Sequence, residues 1–222
     1  MSTSEQDTAH LGRLLLVLTV VTGVVDAVSF LGLGQVFVAN MTGNVVFLGF
    51  ALAGKAGLSV VASITAVLAF LLGALLGGRL ANGAGGRRLW LLRQAVSIQV
   101  ALLVVATVLS ATVDVGHRPG AEAVIVVLGV AMGLQNAAVR KIGLPDLTTT
   151  VLTLTLTGFA ADSRLAGGPG ARPWRKLTAV AAMLLGAVGG GLLQLHVSMW
   201  SALLVAVVLA SGVAVASWVG GS

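Results

Sequence analysis

The chain has seven acidic residues, and only Asp26 lies inside a long apolar run; Glu5, Asp7, Asp114, Glu122, Asp146 and Asp162 belong to segment ends or loops. A carboxylate roughly 4.5 Å from the middle of a membrane-crossing helix costs at least about 2.5–3.5 kcal/mol on insertion scales. Such a group can accept a proton or a cation, or it can anchor helix packing through hydrogen bonds, and the sequence leaves both roles open. A second polar cluster follows at Asn40-Met41-Thr42-Gly43-Asn44. Two amides and a hydroxyl around a glycine suit a helix break, where free amide groups meet an anion or carbonyl and side-chain oxygens meet a cation. The same groups also serve as hydrogen-bonding glue between membrane helices. Further along, Gln135-Asn136 and the hydroxyls of Thr149, Thr150, Thr153 and Thr155 form an uncharged counterpart.

Other chemistries have no kit. There are no cysteines, and His10, His117 and His196 are scattered over termini and loops, so no metal site and no thiol chemistry is expected. One carboxylate with amides makes a poor catalytic set, so neither an enzyme nor a cofactor is expected. The glycine-rich stretches 82–86 and 166–173 lack the strand–helix context of a nucleotide-binding loop and read as connectors.

The elements that must position these groups follow from composition. Hydrophobic residues make up 57% of 222 and charged residues 9%, with a mean hydropathy of +1.05. So few charges cannot cover a soluble globule of this size, and the partner is the lipid bilayer. The net charge of +6 is read as the cytoplasmic bias of membrane proteins, with no nucleic-acid partner expected. The N-terminus lacks a basic leader and a small-residue cleavage site, so the first apolar run is expected to be retained.

Eight apolar segments run over 13–33, 36–54, 58–79, 89–112, 121–140, 147–161, 175–195 and 198–219. Segments two and six are poor spans, because one carries the Asn40–Asn44 cluster and the other is short and threonine-rich. If all eight crossed, the 13 Lys and Arg would divide almost evenly between the two sides. If segments two and six return to the side they entered, Arg13, Arg79, Arg87, Arg88, Arg93, Arg140, Lys141, Arg164, Arg172, Arg175 and Lys176 share one side, against Lys55 and Arg118. The positive-inside rule selects the second arrangement and makes both termini cytoplasmic. The expected fold is therefore all-α and integral to a bacterial cytoplasmic (inner) membrane, with six transmembrane helices and two re-entrant or broken ones. Trp90, Trp174, Trp200 and Trp218 all fall at segment ends, where an indole sits in the interface.

The chain also repeats. Leu71-Leu72-Gly73-Ala74 with Gly77 recurs as Leu184-Leu185-Gly186-Ala187 with Gly190, and Gly23, Asp26 and Ala27 correspond to Gly133, Asn136 and Ala137. A cytoplasmic tail (1–12) is expected to precede one membrane domain (13–219) made of repeat one (13–112) and repeat two (121–219). Three crossings per repeat is an odd number, so the second copy must be inverted, as in secondary transporters whose sites lie where interrupted helices converge. Both broken segments are accordingly expected side by side on the pseudo-two-fold axis. The pairs Gly73/Gly77 and Gly186/Gly190 are expected to pack the halves together, or two subunits of a homodimer.

Thr22-Gly23-Val24-Val25-Asp26-Ala27-Val28-Ser29-Phe30, the Asn40–Asn44 run, Gly133-Leu134-Gln135-Asn136 and the 149–157 threonine stretch together resemble the YoaK family. These are bacterial inner-membrane proteins defined by a domain of unknown function. The resemblance spans about residues 13 to 218. It departs from the family's pattern in the second broken segment, where Thr153-Leu154 stands in place of a Thr-Gly pair. It implies the membrane location and no substrate. The site residues themselves point to a small secondary transporter or channel for a polar solute or ion, with Asp26 as the coupling group; the alternative is a non-transporting scaffold or partner subunit.

Overall fold

The computed structural model describes residues 3–144, 152–162, 166–167 and 173–219. Among them eight helices follow in order: α1 (Thr3–Gly32), α2 (Met41–Leu52), α3 (Val60–Gly83), α4 (Arg88–Thr112), α5 (Arg118–Ile142), α6 (Leu152–Ala161), α7 (Pro173–His196) and α8 (Met199–Val219). Six are long and apolar enough to cross a membrane, and the protein is an all-α membrane protein. At 12 and 10 residues, α2 and α6 reach only about 18 and 15 Å, well short of the roughly 30 Å of hydrocarbon. The expected tail is helical from Thr3 onward, so α1 begins within residues 1–12.

Local chemistry sets the breaks. After α1 the backbone turns through positive φ at Gly34 (85°) and Gln35 (60°), which no helix can continue. α2 starts where Asn40 Oδ1 accepts the Gly43 N–H, and α3 where Ser59 Oγ accepts the Ala62 N–H. α5 ends on Gly143 in the left-handed conformation.

The turn sends the chain back into the bilayer. Phe37 before the start of α2 stacks on the Phe30 ring with centroids 5.0 Å apart, and Phe47 within α2 lies tilted against Phe30 at 5.8 Å and stacked on Phe37 at 5.7 Å. The chain descends past Phe30, restarts as α2 and climbs past it again, which makes α2 re-entrant.

Helix directions give the topology. Gly186 meets Val20, Gly190 meets Val24 and Gln194 meets Gly32, so α1 and α7 run parallel. Gly129 meets Ala69, Gly73 meets Val130 and Gly77 meets Leu134, so α3 and α5 also run parallel. Arg93 near the start of α4 donates to the Ser217 carbonyl near the end of α8 and lies over the Trp218 ring, so these two run antiparallel. One end of the bundle therefore carries the starts of α1, α4 and α7 with the ends of α3, α5 and α8. Arg13, Arg79, Arg87, Arg88, Arg93, Arg140, Lys141 and Lys176 lie at that end, and Lys55 and Arg118 at the other. The second half repeats the first upside down.

The halves are not separate bodies. α1 packs on α7 and α8, whereas α5 packs on α3 and α4. Each first helix has moved to the other repeat's pair. Two bundles result, α3–α4–α5 with α2 attached and α7–α8–α1 with α6 attached, joined where α4 meets α8 and α1 meets α5. α1 and α5 are the most enclosed helices, and the outward leucines and valines of α3, α4, α7 and α8 form the apolar girdle.

Glycine makes the parallel crossings close. A Cβ on Gly23 would fall on the Met183 carbonyl oxygen and within 2.8 Å of the Ala187 nitrogen, and one on Gly190 would lie 2.8 Å from Val24 Cα. In the matching crossing, a Cβ on Gly133 would strike the Phe70 carbonyl oxygen and one on Gly77 would lie 2.7 Å from the Leu134 oxygen. These glycines pack one repeat onto the other.

The structure also corrects an expectation. α2 packs on α3 and α6 on α7, and among the described residues the two short helices do not pack on each other. The reason is the inversion: α2 enters from the Lys55 end and α6 from the Lys176 end, each held by the long helix that follows it.

Candidate functional site

Asp26 lies six residues before the end of α1, about 9 Å from that end, and is only 4% exposed. Its Oδ1 accepts the Ala39 N–H at 2.8 Å and the Val38 N–H at 3.1 Å. Both donors belong to the linker that precedes α2. Irregular backbone at this depth would otherwise leave unsatisfied donors, each worth several kcal/mol in hydrocarbon. The other carboxyl oxygen, Oδ2, is buried and has no partner. Because α1 belongs to one bundle and the α2 linker to the other, Asp26 ties the two together.

The remaining first-half residues serve the break itself. Asn44, fully buried, accepts the Phe37 N–H at 2.8 Å through Oδ1 and donates Nδ2 to the Phe37 carbonyl, replacing both lost backbone bonds of one residue. Asn40 is exposed and caps α2, and Thr42 is exposed. Gly43 leaves room for an aromatic ring, since a Cβ there would lie 2.7 Å from Phe37 Cδ2. The residues expected to line one chamber are thus not brought together. Asn44 is used up by the linker, Asn40 and Thr42 face outward, and Thr153 on α6 is exposed as well. Thr149 and Thr150 lie outside the described residues. Thr155 on α6 is buried, as Asn44 is on α2.

A buried polar line crosses the centre instead. Gln99 of α4 donates Nε2 to Gln135 Oε1, Gln135 donates Nε2 to Thr22 Oγ1 at 3.1 Å, and Thr22 returns its hydroxyl to the Leu18 carbonyl at 2.9 Å. Thr22 is one turn before Asp26, on the same face of α1. The Gln135–Thr22 bond crosses the α1/α5 seam. Gln99 Oε1 is buried without a partner. Asn136, the repeat counterpart of Asp26, donates Nδ2 to the Met132 carbonyl of its own helix. Gln99 was overlooked in the sequence; the signal was an amide well inside the apolar run of α4, beyond Gln94 near its start.

Lys176 is the other missed residue. Its ammonium is nearly buried and pairs at 2.6 Å with Asp162 at the end of α6, pinning α6 to α7. Sequence position assigns Asp162 to a segment end or loop and counts Lys176, at the start of segment seven, only for the side of the membrane it marks. No cluster of metal-ligating side chains occurs among the described residues.

Fold and site together define a polytopic membrane protein built from two inverted three-span repeats, each with one short broken helix. The chain belongs to the family described as "Protein of unknown function (DUF1275)", whose model matches residues 14–216. It is 34% identical over 159 residues to the UPF0700 transmembrane protein YoaK of Bacillus subtilis (strain 168), a match covering 69% of this chain and 68% of that protein. No solved structure matches the chain.

Proposed function

We propose that the protein is a small secondary transporter or channel for a polar solute or ion in the bacterial cytoplasmic membrane. The observation carrying this reading is Asp26: a buried carboxyl group with one free oxygen, bridging two helix bundles at a helix break. Inverted repeats with interrupted helices are the architecture of alternating access. The moving units are the two exchanged bundles and not the two sequence halves, since α1 travels with α7 and α8. Their seam holds the Asp26–linker bonds and the Gln135–Thr22 bond, both of which change when the bundles tilt. Short helices entering from opposite ends suit a path gated at each face, and the site lies at Asp26 and the polar line rather than between α2 and α6.

The arginine-rich end is taken as cytoplasmic, with both termini on that side. The native chain has no cysteine, so K55C is expected to react with an impermeant thiol reagent from outside in cells and R87C is not. The transport claim is tested by reconstituting wild type and D26N in proteoliposomes and following solute-driven ion flux. Flux in the wild type that D26N abolishes supports it. Flux unchanged in D26N, at every pH, removes Asp26 from the coupling.

A scaffold role is the second reading, favoured by one observation: Asn40 and Asn44 are engaged by local backbone and offer little to a solute. Under that reading N44A loses stability and partner association while no solute stabilises the protein. A homodimer through the outer apolar faces fits either role.

A further inference from the structure

We propose that Asp26 Oδ2 is a proton-binding site, and that the cation this protein exchanges there is a proton rather than a metal ion. The inference deepens the transport reading and rests on it for its use, although not for its test.

The donor set carries the argument. A metal ion stripped of water needs several oxygens: calcium takes six to eight and magnesium about six. Around Asp26 the nearby side-chain oxygens are each engaged in a hydrogen bond to the protein. Thr22 Oγ1 accepts from Gln135, Ser29 donates its hydroxyl to the Asp26 carbonyl, and Asn44 Oδ1 accepts from Phe37. The linker turns its donor edge to the carboxyl group. Val38 and Ala39 both aim N–H at Oδ1, and the peptide bonds of this linker are trans, so the Phe37 and Val38 carbonyls point away. The start of α2 at Met41, with its positive dipole end, follows directly. A metal ion would meet one carboxylate oxygen among N–H dipoles. A proton needs only one oxygen: it forms an O–H bond on Oδ2, converts the carboxylate to the acid and displaces nothing.

No other charge competes. The linker, α2 and α8 carry no titratable side chain. α5 has Arg118, Glu122, Arg140 and Lys141, and α7 has Arg175, Lys176 and His196, all near helix ends. On α1 the nearest are His10 and Arg13, about 20 Å away along the axis. None of these bonds to Asp26 among the described residues. Towards the Lys55 end, Phe30 stands one turn beyond Asp26, stacks on Phe37 across the seam and lies tilted against Phe47, which itself stacks on Phe37, and Asp26 beside this cluster is only 4% exposed. A proton that reaches Oδ2 while the stack is open is trapped when it closes, and the charge of Asp26 sets how tightly the linker is held.

The test uses N,N′-dicyclohexylcarbodiimide on the full-length purified protein, because the reagent adds to protonated carboxyl groups in apolar surroundings. Intact mass and peptide mapping are expected to find one adduct on Asp26, absent in D26N, that diminishes as pH rises and is unaffected by sodium, potassium, magnesium or calcium. The Asn side chain still accepts the Val38 and Ala39 N–H groups, so D26N is expected to fold, as size-exclusion chromatography checks. Protection by a metal ion at fixed pH overturns the proposal, as does an unreactive Asp26 at all pH values in folded protein. Expected labelling without any flux in proteoliposomes supports the proton site and removes the transport reading instead.

Discussion

The parallel crossings make a demanding prediction, because glycine is required there by backbone and not by flexible side chains. Gly133→Ala places a methyl group on the Phe70 carbonyl oxygen, with Phe70 C and the Ala74 nitrogen both at 2.9 Å. Neither neighbour has a rotamer to change, so α3 and α5 must separate by about an ångström along much of their length. Overpacking of this kind costs about 1–3 kcal/mol, which is roughly a 5- to 150-fold shift in the folding equilibrium. Gly23→Ala strikes Met183 and Ala187 in the equivalent crossing and should cost a similar amount. Gly78→Ala and Gly189→Ala provide the comparison, since a Cβ at either position meets nothing within 4 Å. Those two should be neutral or gain up to about 1 kcal/mol of helix propensity. Thermal unfolding in detergent, followed by intrinsic tryptophan fluorescence, reads all four. If G133A and G23A melt with G78A, the close crossings do not hold the repeats together and the reasoning fails.

Replacing Asn44, itself 0% exposed, by Ala strips the Phe37 N–H and carbonyl of their shared partner, at about 1–3 kcal/mol per group, and should lower the melting temperature in the same assay. Asp162→Ala leaves the Lys176 ammonium short of its carboxylate and should destabilise α6, measured by protease sensitivity of 152–162, more than Lys176→Met does. Between α4 and α5, hydrogen bonding from His117 and then from the Gly116 N–H holds the Asp114 carboxyl below the usual carboxylate range. A depressed carboxylate favours the fold above its unfolded pKa and loses that contribution as pH falls through the lowered one. Asp114 is fully exposed, so the visible effect is on its carbon-13 NMR titration, whose midpoint should rise in H117A.

The spans, the two short helices and the inversion were legible because lipid is a severe solvent: length, charge placement and glycine spacing each carry a large free energy. The site was legible in part. Asp26 stood out as a lone carboxylate, and the Asn40–Asn44 run marked a break. That Asn44 spends both ends of its amide on Phe37 was hidden, because sequence shows which groups are present and not which are already satisfied. The separation of α2 from α6 was hidden for a different reason. Repeat arithmetic gives orientation but says nothing of which helix each short piece leans on. Gln99 and Lys176 escaped notice because each is a single polar residue whose partner lies far along the chain or across a connector.

The exchange of first helices bears on how the protein is made. As α1 and α3 leave the ribosome, their glycine notches have nothing to receive, for the helices that fill them, α7 and α5, come later in the chain and belong to the second repeat. Neither repeat alone can close a core. Biogenesis must therefore hold the first repeat open in the membrane until the second arrives, and a chain cut at the α4–α5 connection should assemble only when both fragments are synthesised together.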